Sequence, residues 1–181
     1  MNKTRRLTTM AVLAALSIVL VALIHFPIFP AAPYLEYDPA DIPILICGFA
    51  FGPLAGIAVT VVASVIQGLT VSVQSGIYGI IMHIIATSTY VSVASIIYKN
   101  HKNRKAAALS LVAGVLAMAA IMAAANMVVT PAFTGMPASA IKDLLLPVIV
   151  PFNLIKAGIN GLVTFFIYKS VSKLIHKIDA K

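Results

Sequence analysis

The sequence predicts an all-α integral membrane protein with six transmembrane helices, and three observations lead to this fold class. Of the 181 residues, 61% are hydrophobic and only 10% are charged, whereas soluble domains are about half apolar and a quarter charged. The apolar residues form separate runs of helical spanning length, while a transmembrane barrel would show short segments of alternating hydrophobicity. Basic residues recur in clusters between these runs, which is the distribution expected of a multi-pass membrane protein.

The predicted helices follow from the apolar runs and from the residues that interrupt them. We expect one membrane domain, residues 1–181, with helices at about residues 7–24, 41–51, 54–71, 77–98, 106–129 and 144–177. The first helix should end at the stretch that begins with Pro27, because proline disrupts a helix interior. Asp41 is a candidate N-cap of the second helix, which stops before Gly52. That helix reaches only about 16 Å, so we expect it to be tilted, partial or buried among its neighbours.

Apart from serines and threonines, which are weak functional evidence, and the lysines near the end of the sixth helix, polar residues inside the later helices are few. They are Gln67 in the third helix, His83 in the fourth, Asn126 in the fifth, and Asn153, Lys156 and Asn160 in the sixth. An interhelical hydrogen bond is the commonest role for a glutamine such as Gln67. The remaining members of the set are the candidates for a functional site.

Residues 31–40 connect the first two helices and mix aromatic, apolar and acidic side chains. This composition favours a structured loop that covers part of the molecule over a disordered linker. The side chains that would contact what lies beneath are Tyr34, Leu35, Tyr37 and Asp38. An alternative places Tyr34 and Tyr37 in an interfacial aromatic belt at the level of the lipid headgroups.

The net charge of +8 indicates membrane topology rather than nucleic-acid binding. In a six-helix arrangement that begins inside the cell, every basic residue except Lys142 and Lys156 falls on the cytoplasmic side, as the positive-inside rule requires. Both termini are therefore predicted to be cytoplasmic. The basic start precedes a long apolar run without a convincing cleavage site, so we expect an uncleaved first helix.

The sequence contains no pattern typical of an enzyme or a metalloprotein. The single cysteine, Cys47, excludes an internal disulfide and makes a metal cluster implausible. The chain has no phosphate-binding loop, no His-Glu-x-x-His or Gly-x-Ser-x-Gly motif and no Cys-x-x-Cys pair. We therefore expect neither catalysis nor a bound cofactor.

Asn153, Lys156 and Asn160 are the strongest indication of function. Their i, i+3, i+7 spacing places them on one face of a helix. An ammonium near bilayer depth costs roughly 2.5–3.5 kcal/mol, so an intramembrane lysine is a functional-site hypothesis by default. Alternatively, Lys156 extends to an interface or bonds the carbonyls of a neighbouring helix. If it binds a ligand, Lys156→Met should weaken binding without destabilising the ligand-free protein.

The polar residues of different helices are predicted to lie at similar depths. In the six-helix topology His83, Asn126, Asn153 and Lys156 lie roughly 5–18 Å below the outer surface. A channel or proton relay would distribute polar groups across the full thickness, so the pattern predicts a pocket open to the outside and closed below. Carboxamides beside a lysine suit a neutral planar or polyhydroxylated ligand, such as a heteroaromatic ring with carbonyl oxygens.

Several segments resemble the riboflavin-specific S components, the RibU family, of energy-coupling factor (ECF) transporters. The matching segments occur in the family's order and spread over nearly the whole chain. They are Ala32-Pro33-Tyr34-Leu35 through Asp41-Ile42-Pro43, then Phe51-Gly52-Pro53-Leu54-Ala55-Gly56-Ile57, then Asn126, then Pro151-Phe152-Asn153-Leu154-Ile155-Lys156. The Phe-Gly-Pro block alone would indicate only membrane substrate-binding subunits of this general kind.

The resemblance implies a transport subunit rather than a complete transporter. It implies six helices, capture of riboflavin from outside, and association with a transmembrane coupling subunit and two cytoplasmic ATPases in the plasma membrane of a prokaryote. It further implies that Asn126, Asn153 and Lys156 contact the flavin ring and that residues 34–38 cap the pocket.

Ala11 and Ala15 form a small-xxx-small pair on the first helix, which would let another helix approach closely. In a sequence so rich in alanine, chance also produces such pairs. The resemblance implies that this pair contacts the coupling subunit.

Two residues depart from the family's pattern. His83 stands where relatives carry an asparagine, and Asn160 is an additional amide one turn beyond the usual pair. Because His83 or Lys156 could also meet a phosphate, FMN or another flavin is an alternative ligand.

Two further functions stay open at this point. The first is an autonomous secondary carrier of a small polar aromatic solute, with Lys156 as its coupling residue. The second is an intramembrane enzyme with His83 and Lys156 as acid and base, although no nucleophile or metal set accompanies them.

Overall fold

The computed structural model describes residues 3–179, and most of these residues are helical. The helices are α1 (Lys3–Leu23), α2 (Asp41–Phe51), α3 (Pro53–Leu69), α4 (Gly76–Asn100), α5 (Arg104–Thr134), α6 (Ala138–Leu144) and α7 (Val150–Asp179). The strands β1 (Phe26–Pro27) and β2 (Glu36–Tyr37) form a short antiparallel pair. A 3₁₀ turn at Val73–Ser75 precedes α4, and a π-helical turn at Leu145–Ile149 joins α6 to α7.

Four helical segments within residues 3–179 are long and apolar enough to cross a membrane. They are Lys3–Leu23, Val73–Asn100, Arg104–Thr134 and Ala138–Val171. The two shorter apolar helices, Asp41–Phe51 and Pro53–Leu69, lie between the first and second of these segments. The long segments support a membrane protein, as the composition predicts.

Helix α5 is longer than expected. It continues through Pro131 to Thr134, beyond the expected end near Val129. It ends where Gly135 takes the left-handed conformation, with φ at 73°, and donates its N–H to Pro131 O. Glycine adopts this conformation without the steric cost that a side chain imposes.

The last helical segment also begins earlier than expected. Pro137 is the residue before α6, and the chain is then helical from Ala138 through the π-helical turn into α7. The expected start at residue 144 therefore missed α6. This short helix is mostly exposed and buries only Ile141, so it gives little periodic apolar signal.

The prediction that Asp41 caps α2 is wrong. The cap position is Ala40, with no side-chain hydrogen bond to the helix start. The Asp41 carboxylate instead accepts hydrogen bonds from Thr87 Oγ1 at 2.6 Å and Asn160 Nδ2 at 2.9 Å. A fully buried carboxylate needs such donors, and the packing of α2 against α4 and α7 supplies them from side chains distant in sequence.

Burial among its neighbours accounts for the short length of α2. The helix packs against α1, α3, α4 and α7 and is buried along nearly its whole length. The side chains of Ile44, Leu45 and Cys47 are fully inaccessible. Of the three alternatives for this helix, the structure shows burial between longer helices.

Tyr90 of α4 anchors the centre of the helix assembly. Its ring is fully buried, and its hydroxyl donates to Ala157 O of α7 at 3.0 Å. A side chain at Gly114 or at Gly161 would overlap the Tyr90 ring or hydroxyl. Glycine at these positions leaves room for the Tyr90 side chain, whose ring packs against α5 and whose hydroxyl reaches α7.

The outer faces of the helices are apolar. Large exposed side chains include Leu116 and Val128 on α5 and Leu162 and Phe166 on α7. An apolar exterior of this extent is unusual for a soluble monomer and is expected of a protein surrounded by lipid.

Candidate functional site: a polar pocket beneath the first loop

A cavity lies at one end of the helix assembly, beneath the loop between α1 and α2. The cavity and its mouth together hold about 910 Å³ of space free of protein atoms, part of which is open solvent. The lining comes from the loop, from α3, α4, α5 and α7, and from the connection between α3 and α4. The polar and aromatic members are Tyr34, Glu36, Asp38, Ser64, Gln67, Ser72, Ser75, Tyr78, His83, Asn126, Thr130, Phe133, Phe152, Asn153 and Lys156.

The loop is held over the cavity by its own apolar contacts. Ala32 and Leu35 are buried in a cluster with Ile141, Ile149 and Phe152 of the last helical segment. The β1–β2 pair sets Phe26 opposite Tyr37, with ring centroids 5.4 Å apart. Such a packed core makes the loop a structured cover rather than a disordered linker.

Three aromatic rings meet at the cavity wall from different elements. Phe133 of α5 lies 6.2 Å from the Tyr34 ring and 5.7 Å from the Tyr78 ring of α4, measured between centroids. Burial raises the pKa of Tyr34, and its hydroxyl is buried without a hydrogen-bond partner among the described residues. Tyr34 therefore contributes both an apolar surface and an unused polar group to the cavity.

Two carboxamides face the cavity from α5 and α7. Asn126 donates to Met122 O and accepts from Thr130 Oγ1, both at 2.8 Å. Asn153 donates to Ile149 O at 2.8 Å, and within residues 3–179 its Oδ1 accepts no hydrogen bond. These bonds orient both amides while leaving hydrogen-bonding capacity on Asn153 for a ligand.

Lys156 forms an ion pair with the loop. Its Nζ lies 2.6 Å from Asp38 Oδ2, and both side chains are more than nine-tenths buried. Asp38 Oδ1 also accepts from the backbone N–H of Ala40 at 3.0 Å. Burial alone would raise the pKa of Asp38, but the adjacent Lys156 ammonium outweighs it and holds the pKa below its usual range.

A second set of polar contacts lies deeper, beneath this ion pair. Asn160 Nδ2 lies 2.9 Å from both Asp38 O and Asp41 Oδ2. Tyr37 donates its hydroxyl to Asn160 Oδ1 at 3.1 Å. Ser17 of α1 donates to Ala40 O at 2.7 Å. The end of the loop is thereby bonded to α1 and α7 just below the cavity.

His83 has a defined hydrogen-bonding arrangement on the cavity wall. Its Nδ1 lies 2.7 Å from Ser64 Oγ, and Ser64 Oγ also lies 2.7 Å from Thr60 O. The His83 Nε2 is 3.8 Å from Asp41 Oδ1 and has no hydrogen-bond partner in the described part of the chain. This ring therefore presents one unused nitrogen beside a buried carboxylate.

The structure brings most of the predicted ligand contacts together. Tyr34, Leu35, Asp38, His83, Asn126, Asn153 and Lys156 all line the cavity. Tyr37 and Asn160 do not line it, and their hydrogen bonds connect the loop to α7 instead. Ala11 and Ala15 lie elsewhere, exposed on α1. Within the described chain, no cluster of residues could hold a metal ion.

Several residues of the site were not predicted as such. Ser64 and Gln67 line the cavity from α3, and Met118 and Met122 line it from α5. Asp41 is fully buried next to His83. An acidic residue at the start of an apolar run was a usable signal for Asp41, whereas the methionines had no feature to separate them from ordinary core residues.

Comparison with known proteins gives a consistent set of similarities. The family model described as "ECF transporter, substrate-specific component" matches residues 5–168. The chain is 32% identical to "Riboflavin transporter FmnP" of Bacillus subtilis, over 92% of this chain and 91% of that protein. It is 30% identical to "Riboflavin transporter RibU" of Staphylococcus aureus, over 98% of this chain and 96% of that protein.

A solved structure is similar over almost its whole length. The work that describes it is titled "Structure and mechanism of the S component of a bacterial ECF transporter". The TM-score is 0.84 at 29% sequence identity, and the alignment covers 96% of this chain and 99% of that one. The two chains therefore share one fold over nearly their whole length.

Proposed function

This chain belongs to the family of substrate-specific components of ECF transporters, and we propose that it captures riboflavin from outside a prokaryotic cell. It is a multi-pass protein of the cell membrane. The observation that carries the proposal is the cavity beneath the loop, where carboxamides, an ammonium and aromatic rings converge. The names of the relatives from Bacillus subtilis and Staphylococcus aureus point to riboflavin as the ligand.

The chemistry of the cavity suits a flavin ring. The pyrimidine edge of the ring alternates carbonyl oxygens with an N–H group, so it needs both donors and acceptors. Asn153 offers an unused acceptor oxygen and a second amide hydrogen, and Asn126 offers an amide hydrogen. Tyr34, Tyr78 and Phe133 provide apolar surface for the ring faces.

In our proposal Lys156 contacts the ligand while it stays paired with Asp38. Its ammonium has three hydrogens, and Asp38 accepts one of them. A remaining hydrogen can be donated to a ring carbonyl without breaking the pair. Ligand contact and closure of the loop through Asp38 would then reinforce each other.

Transport in our proposal requires partners that supply the energy. The chain shows no nucleotide-binding motif, so a transmembrane coupling subunit and two ATPases would provide ATP hydrolysis. Ala11 and Ala15 are exposed on α1, while its buried face carries Leu13 and Ser17. Because this small pair points away from the chain's own core, we propose it as the contact with the coupling subunit.

The absorption spectrum of protein purified from cells tests the proposed ligand. We expect a retained flavin, visible as yellow colour, to be released on denaturation and identified as riboflavin by chromatography. Asn153→Leu keeps the number of side-chain heavy atoms but removes the amide, so this variant should retain less flavin. Colourless parent protein that also fails to bind added riboflavin would overturn the proposal.

A further inference from the structure

Methionine side chains form part of the cavity wall, and the proposed function gives them no role. Met118 and Met122 line the cavity from α5, and Met82 lines it from α4. The other methionines that the structure describes lie outside the lining, and they are Met10, Met127 and Met136. Oxidation converts the flexible apolar side chain of methionine into a polar sulfoxide. The wall therefore contains groups that an oxidant bound in the cavity would modify.

Met118 and Met122 lie on the same face of α5 as the amide that is proposed to bind the flavin ring. They precede Asn126 by eight and four residues, and residues at this spacing lie one above the other on a helix. Asn126 Nδ2 donates to Met122 O at 2.8 Å. One helical turn is about 5.4 Å, so Met122 is one turn and Met118 two turns from the amide. A ring bound at Asn126 is therefore within reach of these thioethers, which pack favourably beside aromatic rings.

Both methionines are shielded from oxidants in bulk solution. Met118 is 2% exposed and Met122 is 6% exposed, whereas Met10, Met127 and Met136 are half-buried. Oxidation by a dissolved reagent follows exposure, so it should reach the half-buried methionines first. An oxidant bound in the cavity would reverse this order, because it would lie against the two most buried thioethers. The order of oxidation therefore shows where the oxidant is.

We propose that Met118 and Met122 are sites of light-driven oxidation by the flavin bound in the cavity. A flavin ring that absorbs blue light becomes a strong oxidant. The thioether sulfur loses two electrons to the excited ring and takes the oxygen atom of a water molecule, whose two protons are released. Dioxygen then accepts two electrons and two protons and leaves as hydrogen peroxide. The products are a methionine sulfoxide and the original flavin. The inference rests on the proposed function.

Oxidation of these side chains damages the wall in which they lie. Met118 and Met122 pack in the same apolar core cluster as Tyr90 and Leu111. A sulfoxide oxygen buried there without a hydrogen-bond donor is unfavourable, and the polar side chain disrupts the packing. We therefore expect the flavin-loaded protein to lose its binding capacity progressively in light and to keep it in the dark.

Mass spectrometry that assigns each sulfoxide to one methionine tests the modification. The parent protein in detergent, with an equimolar amount of riboflavin, is illuminated with blue light in air-saturated buffer. We expect the sulfoxide fraction at Met118 and Met122 to exceed that at Met127 and Met136 by about fivefold or more. Hydrogen peroxide in the dark should give the opposite order. Asn153→Leu, illuminated with the same riboflavin, is the matched control, because it keeps every methionine but should hold less flavin. Its excess of sulfoxide at the two cavity positions should fall with its occupancy.

A double variant, Met118→Leu with Met122→Leu, links the modification to binding. It removes both sulfur atoms and keeps apolar side chains of similar size. Titration with fresh riboflavin should show that illumination reduces its binding capacity at least about twofold more slowly than that of the parent. If this variant does not fold, the sulfoxide positions in the parent decide alone.

Two results distinguish the inference from the proposed function. Sulfoxide at Met127 and Met136 that equals or exceeds that at Met118 and Met122 in the illuminated, flavin-loaded parent would overturn the inference alone. Failure of the folded parent to bind riboflavin would overturn the proposed function and the inference with it.

Discussion

The ion pair between Asp38 and Lys156 determines how the site is assembled. Two fully desolvated charges are unfavourable separately, and each is accommodated because the other lies 2.6 Å away. The residues are distant in sequence and belong to the loop and to α7. The same contact therefore holds the cover in place and orients the ammonium that lines the cavity.

We predict that Lys156→Met destabilises the ligand-free protein by about 3 kcal/mol or more, because Asp38 is left buried without a counterion. This differs from the expectation based on sequence, in which removal of an isolated ammonium would lower an insertion cost. Thermal melting of the ligand-free protein in detergent measures the change. The double variant Asp38→Asn with Lys156→Met should recover much of the loss.

The double variant also supplies the result that would contradict this prediction. Asn at position 38 can still accept from Ala40 N, so the hydrogen bond at the end of the loop is retained. If the two single substitutions and the double substitution have additive effects, the pair does not form in the folded protein. The alternative in which Lys156 extends to an interface would then be preferred.

Single residues show what sequence could and could not predict about the site. The cost of a polar group in an apolar run was sufficient to select Lys156, Asn126 and Asn153. The partner of Lys156 was not predictable, because Asp38 meets it only through the path of the loop. Aspartate is a residue type common at helix N-caps, which is why Asp41 was expected to be one. Only the tertiary structure shows that its carboxylate accepts hydrogen bonds from Thr87 and Asn160 instead.

At the scale of elements, α1 has separate inner and outer faces. Its inner face contributes Leu13, Ala14 and Val21 to the buried core. The outer face carries Ala11 and Ala15. A substitution on the outer face should therefore affect contacts with other proteins rather than the fold of this chain.

We predict that Ala15→Leu abolishes assembly with the coupling subunit and ATP-dependent uptake, while riboflavin affinity changes less than about threefold. Added bulk would prevent close helix contact at a position away from the cavity. Ala120→Leu is a matched control, because it is the same substitution at an exposed position of α5. Co-purification and uptake assays measure the effect. Normal uptake by Ala15→Leu, or uptake that depends on an ion gradient and needs no ATPase, would contradict the proposed coupling.

The loop between α1 and α2 shows which features of an element the sequence can predict and which it cannot. Its mixed composition correctly indicated a structured cover, and Tyr37 is buried in the protein rather than at a lipid headgroup. The β1–β2 pair was not predicted, because two-residue strands that contain proline have no alternating pattern. Helix α6 was missed for a similar reason, since seven mostly exposed residues carry almost no periodic signal.

At the scale of the whole molecule, composition was sufficient to predict a membrane protein. The family resemblance is confirmed by the match over residues 5–168. The membrane orientation remains a prediction from charge. Basic residues cluster at the end of the assembly away from the cavity, in α1 and in the connection between α4 and α5. This distribution predicts that the cavity opens to the outside.

Cysteine labelling tests the orientation. Lys102→Cys, between α4 and α5, should be protected from a membrane-impermeant thiol reagent in intact cells and react after permeabilisation. Ser139→Cys, on the exposed part of α6, should react in intact cells. Both positions avoid structural roles, unlike Asn103, which caps α5, and Gly135, which has a positive φ. The native Cys47 is buried and should give no background. Labelling of Lys102→Cys in intact cells would reverse the topology.

Titration of riboflavin into the ligand-free protein, followed by flavin fluorescence, tests the central claim most directly. We predict saturable binding by the parent protein and a loss of affinity of about tenfold or more in Asn153→Leu, since one or two hydrogen bonds to the ring are removed. Ala120→Leu should bind like the parent. Saturable binding of equal affinity in the parent and in folded Asn153→Leu, or no binding by either, would contradict a flavin site in the cavity beneath the loop.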